Sequence, residues 1–393
     1  MKRVAVLGGG PAGAFAAERL ASAGLDTIVL DEKLAWEKPC GGGLTFKAYD
    51  RYPFLFHNDT PKRFVTDTLL VAPRAGAARL SLRKPLVIYS RLDLNRMLLE
   101  RASRAGARIE KTRVLEVTRN GNWAIRTTGG TIEADFCIVA TGARNSLKNM
   151  GTRLTPADTM RALGYYVPGD QKHIDIQFLP QLEGYIWVFP RCGHLSVGIC
   201  GKGVPAQDLR LRLERFMEER RISTKDGRFY SHLLPSLGSS GWRNNRVAGQ
   251  GWLAVGDAAG LVDPITGEGI YYAMRSGDLA SQVVLSDAHP PAEKHRAYRA
   301  LLVRDFAADL AYGAAIARRF FLGKFLFRSV PERMVAFLRR SPRFYDLMQD
   351  LFAGTQPYSS LKNRLLRNLH GTFLDIFLNL LFHRPEVAEE NQV

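Results

Sequence analysis

Gly8, Gly10 and Gly13 stand at the spacing GxGxxG, and Asp31 follows eighteen residues after the last of them. In such a run the first glycine permits a tight turn. The second lets a pyrophosphate approach the backbone, and the third lets a helix pack closely on a strand. An acid at the end of the next strand accepts hydrogen bonds from ribose hydroxyls. The chemistry these residues can do is to hold a dinucleotide. A second constellation, "EKPCGGGLTFKAY" from Glu37 to Tyr49, sets the thiol of Cys40 beside Gly41, Gly42 and Gly43. A glycine run costs entropy on folding and marks a place where backbone approaches another group closely. A third, "GDAAGLVDPITGEGI", places Asp257 where an apolar strand ends and Gly267 and Gly269 where a helix begins.

The elements that position these residues are legible nearby. An apolar strand Val4–Leu7, a helix from about Ala12 to Ala23 and a strand Thr27–Leu30 ending at Asp31 and Glu32 make a βαβ unit of Rossmann type. Its helix follows directly on Pro11, and the helix N-terminus supplies free N–H groups to a phosphate. Leu94, Met97, Leu98 and Ala102 recur at helical spacing, with Arg91 at the helix start. Residues 112–143 read as strands with tight turns at Asn120-Gly121 and Gly129-Gly130, ending in a buried strand, Phe136–Ala140, before Thr141-Gly142. "GYIWVFP" and "HLSVGICG" have strand composition, Arg210–Arg221 reads as a helix, and helical patterning dominates from about Ala292. The predicted fold class is α/β (α+β). Residues 1–154 and 246–290 form the dinucleotide-binding domain, 155–245 an inserted β-sheet substrate domain, and 291–393 a helical C-terminal region.

Of 393 residues, 55 are Lys or Arg and 38 Asp or Glu, a net charge of +17. Between Pro290 and Arg384 there are 16 basic and 7 acidic residues, so about half the excess sits there. Such an excess fits nucleic acid, a membrane surface or an acidic ligand. No zinc motif, helix-turn-helix pattern or RNA-binding signature is present, so nucleic acid is not expected. The four cysteines include no CxxC pair; neither a metal site nor a disulfide framework is expected, and a reducing cytoplasm fits. The N-terminus enters "KRVAVLGGG" without a secretory pattern. Two C-terminal stretches mix large apolar residues with arginines. One runs from Arg318 to Met348; the other carries Leu361, Leu365, Leu369, Phe373, Ile376 or Phe377, and Leu380 at helical spacing. Neither is long and apolar enough to span a bilayer. Two readings stand: basic amphipathic helices lying on the inner membrane face, or a bundle packed on the catalytic domain with solvated arginines.

"GGGPAG", "SRLDLNRMLLERA", "IVATGA" and "AVGDAAGLVDPITGEGI" occur in the order that resembles FAD-dependent oxidoreductases of the para-hydroxybenzoate-hydroxylase-like fold, over about residues 1–280. Within that class, "KPCGGGL" and "YIWVFP" resemble the geranylgeranyl reductase family, whose members saturate isoprenoid double bonds in chlorophyll side chains, archaeal lipids or menaquinone. Of the family pattern PxxYxWxFP, Tyr185, Trp187, Phe189 and Pro190 match; Leu182 stands in place of the first proline, with Pro180 two residues earlier. That departure bears on the substrate more than on the fold.

The resemblance implies FAD held by Gly8, Gly10, Pro11, Ala12, Gly13, Asp31 and Glu32, with Arg91 and Gly142 also in contact. It implies Asp257 on the ribityl chain, Pro264 stiffening the loop beneath the ring, and Gly267, Gly269 and Ile270 opening a helix toward the pyrimidine edge. There the positive helix end stabilises the reduced flavin anion. Cys40, Gly41 and Gly42 lie against the ring, and Cys40 either shares in catalysis or is a small buried apolar residue. Tyr185 and Trp187 share one strand face and either pave a channel for a prenyl chain or belong to the core. The implied substrate is a prenylated lipid, quinone or pigment precursor. No second GxGxxG stands out, so the electron donor is NADPH docking transiently, or ferredoxin. A flavin monooxygenase acting on an aromatic or apolar substrate is the alternative on the same fold; a flavoprotein that only carries a lipid is a third.

Overall fold

A computed structural model describes residues 3–325 and 327–365. Five strands, Arg108–Lys111, Asp26–Asp31, Arg3–Leu7, Phe136–Val139 and Trp252–Ala254, pair in parallel in that order, and Ala248–Gly249 closes the edge antiparallel. Val4–Leu7 and Cys137–Val139 are wholly buried, as parallel strands covered on both faces require. The first helix is Pro11–Ser22, starting one residue earlier than predicted because proline is pre-set for the first helical position. It packs on the helix Ile270–Leu285 so closely that a Cβ at Gly277 would lie 2.4 Å from the Ala12 carbonyl oxygen.

The second sheet has eight strands. Arg228–Pro235, Thr159–Pro168, His194–Lys202, Gly184–Pro190 and His173–Phe178 follow one another antiparallel; then come Lys62–Ala72, Gly76–Tyr89 and Gly43–Leu44. Residues 62–89, expected within the dinucleotide-binding unit, therefore supply two long strands to the substrate sheet. The junction is the parallel pairing of His173–Phe178 with Lys62–Ala72. Local pattern does not reveal it, because the partner lies about a hundred residues away. Helix Ala206–Glu219, against the expected 210–221, covers the sheet with Leu209, Leu213, Phe216 and Met217. Val114–Asn120, Asn122–Thr127 and Gly130–Ala134 form a separate meander.

After the Ile270 helix come helices Lys294–Leu302 and Ala308–Leu322, a two-strand hairpin (Lys324–Phe325 and Arg328–Ser329), and helices Val330–Arg340 and Pro342–Ala353. The last two dock on strand Gly76–Tyr89. Arg339 donates to the Ala75 and Ala77 carbonyls, and Gln349 bonds the backbone of Ser81 and Arg83. Val335, Leu338 and Met348 join a core with Leu80, Leu82 and Leu86. These helices are thus packed on the sheet. Of the second amphipathic stretch, Leu369, Phe373, Ile376, Phe377 and Leu380 lie outside the described residues.

Trp187 faces Gly198 across the strand pair, and a Cβ at Gly198 would sit 2.3 Å from the indole. Gly198→Ala is expected to displace the indole and cost about 1–3 kcal/mol. Tryptophan emission and Tm read the two effects; an unchanged Tm would show that the indole does not need this space.

Candidate active site

At the carboxyl ends of the parallel strands, Gly8 has φ +117, and a Cβ there would lie 2.3 Å from the Ala140 carbonyl oxygen. The turn can be made only by glycine. Pro11 and Ala12 follow as buried first residues of the helix, and a Cβ at Gly13 would collide with the Gly8 carbonyl at 1.9 Å. Asp31 accepts from Gly9 N through Oδ2 and from Lys33 N and Leu34 N through Oδ1, each at 2.7 Å. Its carboxylate closes the glycine turn onto the second strand. With about four acceptor positions on a carboxylate, one is left for a ribose hydroxyl. Glu32 points to Arg113 at 3.6 Å, and Gly142 lies half-buried just beyond the Phe136–Val139 strand.

Arg91 begins the helix Arg91–Arg104 and is 4% exposed. Its Nη2 donates to Asn95 Oδ1 at 3.3 Å, while Nε is buried without a hydrogen-bond partner. Asp257, in the turn after Trp252–Ala254, is ion-paired with Lys38 Nζ at 2.8 Å. Burial opposes its ionisation, but Lys38 prevails and holds the carboxyl below its usual range. His232 lies near this group. Burial first, and then the charge of Lys38, push its pKa down to about 3, so the ring is neutral, and its Nε2 is buried without a partner. A glycine cradle, a helix N-terminus and a buried guanidinium with an unspent donor fit the pyrophosphate of a flavin dinucleotide.

The loop from Glu37 to Gly43 is fixed by a residue that the motif reading passed over. Arg191, directly after "YIWVFP", is completely buried. It donates to the Tyr89 carbonyl at 2.5 Å, the Cys40 carbonyl at 2.6 Å and Glu37 Oε1 at 3.2 Å. Glu37 in turn accepts from the backbone N–H groups of Arg91 and Leu92, capping that helix. Burial disfavours the Glu37 carboxylate, yet Arg191 and these N–H groups keep its pKa below the ordinary value. The close neighbours of the glycines are protein. A Cβ at Gly42 (φ +83) would lie 2.1 Å from the Tyr89 carbonyl oxygen and 2.9 Å from Arg191 Cζ, and one at Gly43 would lie 2.9 Å from the Phe189 ring. Gly41 also packs on Phe189. Cys40 is half-buried, and its Sγ accepts from Gly42 N at 3.3 Å.

Cys40, Gly41, Gly42, Tyr185, Trp187, Gly267, Gly269 and Ile270 all border one cavity of about 710 Å³. The Tyr185 hydroxyl donates to the Thr266 carbonyl, tying the substrate sheet to the TGEG turn. The Trp187 indole donates to Ser196 Oγ at 3.4 Å, and that hydroxyl is 3.0 Å from the Tyr230 hydroxyl. Pro264 is buried beside Gly313 of the Ala308–Leu322 helix. Asp263 accepts from Ile265 N, Thr266 N and the Tyr358 hydroxyl, each at 2.9 Å. Glu268, between the two glycines, accepts from Thr45 Oγ1 at 3.2 Å. Burial, then the Asp263 charge, raise its pKa to about 7, with Lys47 and Thr45 opposing. The walls also include apolar residues, Ile176 and Phe178 from the sheet and Ile316, Phe320, Met334 and Leu351 from the C-terminal helices, while Arg304, Asp305 and Asp309 add charge to the border.

Sequence reasoning missed Arg191, Glu37, His232 and Glu268. The signal for Arg191 was an arginine closing a buried strand; for Glu268, an acid inside a glycine turn. Arg91→Met is expected to weaken FAD binding about tenfold or more, since a hydrogen bond to a charged group contributes about 1.5–3 kcal/mol. Flavin fluorescence titration of the stripped protein measures this, and wild-type affinity would remove Arg91 from the FAD site.

No family profile matches the chain. It is 30% identical over 308 residues to digeranylgeranylglycerophospholipid reductase 2 of Methanothermobacter thermautotrophicus, spanning 71% of this chain and 77% of that one. It is also 30% identical over 324 residues to the chloroplastic geranylgeranyl diphosphate reductase of Oryza sativa subsp. japonica, spanning 72% of this chain and 66% of the longer relative. The geranylgeranyl bacteriochlorophyll reductase-like protein of Thermoplasma acidophilum superposes with a TM-score of 0.71 over 97% of this chain and 99% of that one. At 23% identity that likeness is one of fold. Among the described residues no helix is long and apolar enough to cross a membrane. With the dinucleotide cradle, the Cys40 loop and the Tyr185 strand in place, the chain belongs to the geranylgeranyl reductase family of FAD-dependent oxidoreductases.

Proposed function

We propose that this protein saturates isoprenoid double bonds in a prenylated lipid, quinone or pigment precursor. The observation that carries the reading is the lining of the cavity. It is bordered by Cys40, Glu268 and the TGEG turn on one hand, and by apolar residues of the eight-stranded sheet and the C-terminal helices on the other. A flexible prenyl chain is the kind of ligand whose surface such a cavity removes from water. Reduced FAD supplies the hydride. Tyr185, Trp187 and Phe189 wall the cavity near the glycine loop and hold the alkene in place. That matters because an isolated double bond accepts charge poorly and depends on orientation. The electron donor, NADPH or a ferredoxin, docks transiently.

A hydride alone leaves the neighbouring carbon in need of a proton, and Glu268 is placed to give it. The carboxyl borders the cavity and faces Asp263, Lys47 and Thr45, with Tyr271 and Tyr272 beyond. With a pKa near 7 it is protonated below neutrality and ionised above.

The deciding experiment is anaerobic. The bound flavin is reduced with dithionite and prenyl lipids are added one class at a time. The expected result is flavin reoxidation with a product heavier by one hydrogen pair per bond. A hydroxylated product formed only on admitting air would overturn the reading in favour of a monooxygenase. Under the same single-turnover conditions the rate should be flat in acid and fall as pH rises through about 7. Glu268→Gln should lower it about a hundredfold and abolish that limb, with FAD affinity retained. A pH limb that survives the substitution would take Glu268 out of the proton transfer.

A further inference from the structure

The hairpin between helices Ala308–Leu322 and Val330–Arg340 contributes little to the core. Phe327 at its turn is fully exposed, and Leu322 and Phe325 beside it are each 40% exposed. Phe327 has φ +68, a left-handed conformation that glycine takes freely and a bulky residue does not. The hairpin nevertheless has a definite place. Val330 N donates to the Gly323 carbonyl, Arg333 Nε to the Phe325 carbonyl, and Arg328 to the Arg74 carbonyl of the neighbouring strand turn. An anchored turn is holding aromatic rings out into water.

The charge around it has one sign. From Arg318 to Arg343 the chain carries eight Lys or Arg residues and one acid, Glu332. Glu332 is buried and spent in the capping box with Ser329. Arg318, Arg319, Lys324 and Arg328 are exposed. The two helices that flank the hairpin also border the cavity, through Ile316, Phe320 and Met334. Exposed apolar residues ringed by basic side chains suit the boundary of an anionic bilayer, where the rings enter the acyl region and the cations meet the headgroups.

We infer that the hairpin of strands Lys324–Phe325 and Arg328–Ser329 is a membrane-docking element that inserts Leu322, Phe325 and Phe327 into an anionic lipid surface. The helices that border the cavity are then set against the phase in which a prenyl substrate dissolves. The inference draws its purpose from the reductase reading, but its test involves no turnover, so the two can fail separately.

The test is co-sedimentation of the full-length holoprotein with vesicles. One set is phosphatidylcholine alone; the other contains about a quarter phosphatidylglycerol. Wild type is expected to sediment with the anionic vesicles, and less so as salt is raised. The pair Phe325→Ser and Phe327→Ser should cut the bound fraction about tenfold or more, with flavin occupancy and Tm unchanged. The pair Arg318→Glu and Lys324→Glu, which keeps the aromatic tip, should abolish the preference for anionic vesicles. Wild type that ignores anionic vesicles, or serine variants that bind like wild type, would overturn the inference. So would loss of a concentration-dependent dimer in the serine variants without vesicle binding by wild type, which would make a second copy of the chain the occupant.

Discussion

The arrangement of the site depends on one buried cation. The Arg191 guanidinium has no exposure to solvent and meets the Cys40 loop, the end of the Gly76–Tyr89 strand and, through Glu37, the N-terminus of the Arg91 helix. These pieces come from three regions of sequence that meet at the eight-stranded sheet. A charge removed from water is costly unless it is paired and hydrogen-bonded; losing one partner of such a pair typically costs about 3–5 kcal/mol. The cost makes the geometry selective. Only the arrangement that brings Glu37 and the two carbonyls to Arg191 satisfies it, so the glycine loop, the FAD cradle and the substrate sheet are held in one register.

The cavity meets polar and apolar demands together. Its polar border includes Glu268, Asp263, His232 and Cys40, each tied to neighbours or shifted by burial. The sheet and the C-terminal helices add aliphatic and aromatic wall. Burial first, and then Lys38, keep His232 neutral, and the same lysine keeps Asp257 charged. The Tyr185 hydroxyl on the Thr266 carbonyl and the Tyr358 hydroxyl on Asp263 hold the TGEG turn from both sides. That turn therefore senses the substrate sheet and the C-terminal region at once.

Much of this was legible in the sequence where the cause is local. The glycines at 8 and 13 need the conformation and contacts that glycine alone supplies, whereas a Cβ at Gly10 would meet no protein atom within 4 Å; the βαβ unit around them follows from periodicity. The strand bearing Tyr185 and Trp187 was readable from its composition. What stayed hidden depends on distant partners. Lys62–Ala72 and Gly76–Tyr89 gain their place in the substrate sheet from a strand about a hundred residues on. Arg191 reads as an ordinary surface arginine until Glu37 is brought to it. Glu268 reads as a solvated acid in a turn until Asp263 and the cavity wall surround it. The glycines of "PCGGG" read as room for a ring; their nearest protein neighbours are Phe189, Tyr89 and Arg191.

The parallel pairing of His173–Phe178 with Lys62–Ala72 has a consequence for the order in which the chain acquires structure. The eight-stranded sheet is a seam between two segments, 43–89 and 159–235, with strands of the parallel sheet threaded between them. During synthesis the hairpin 62–89 emerges early, with the outer edge of Lys62–Ala72 unpaired, and an open edge invites association with another chain. It stays open until residue 178 has left the ribosome, and non-local pairing of this kind is slow. The interval between those two events, more than the stability of the finished protein, sets how exposed a newly made chain is to aggregation.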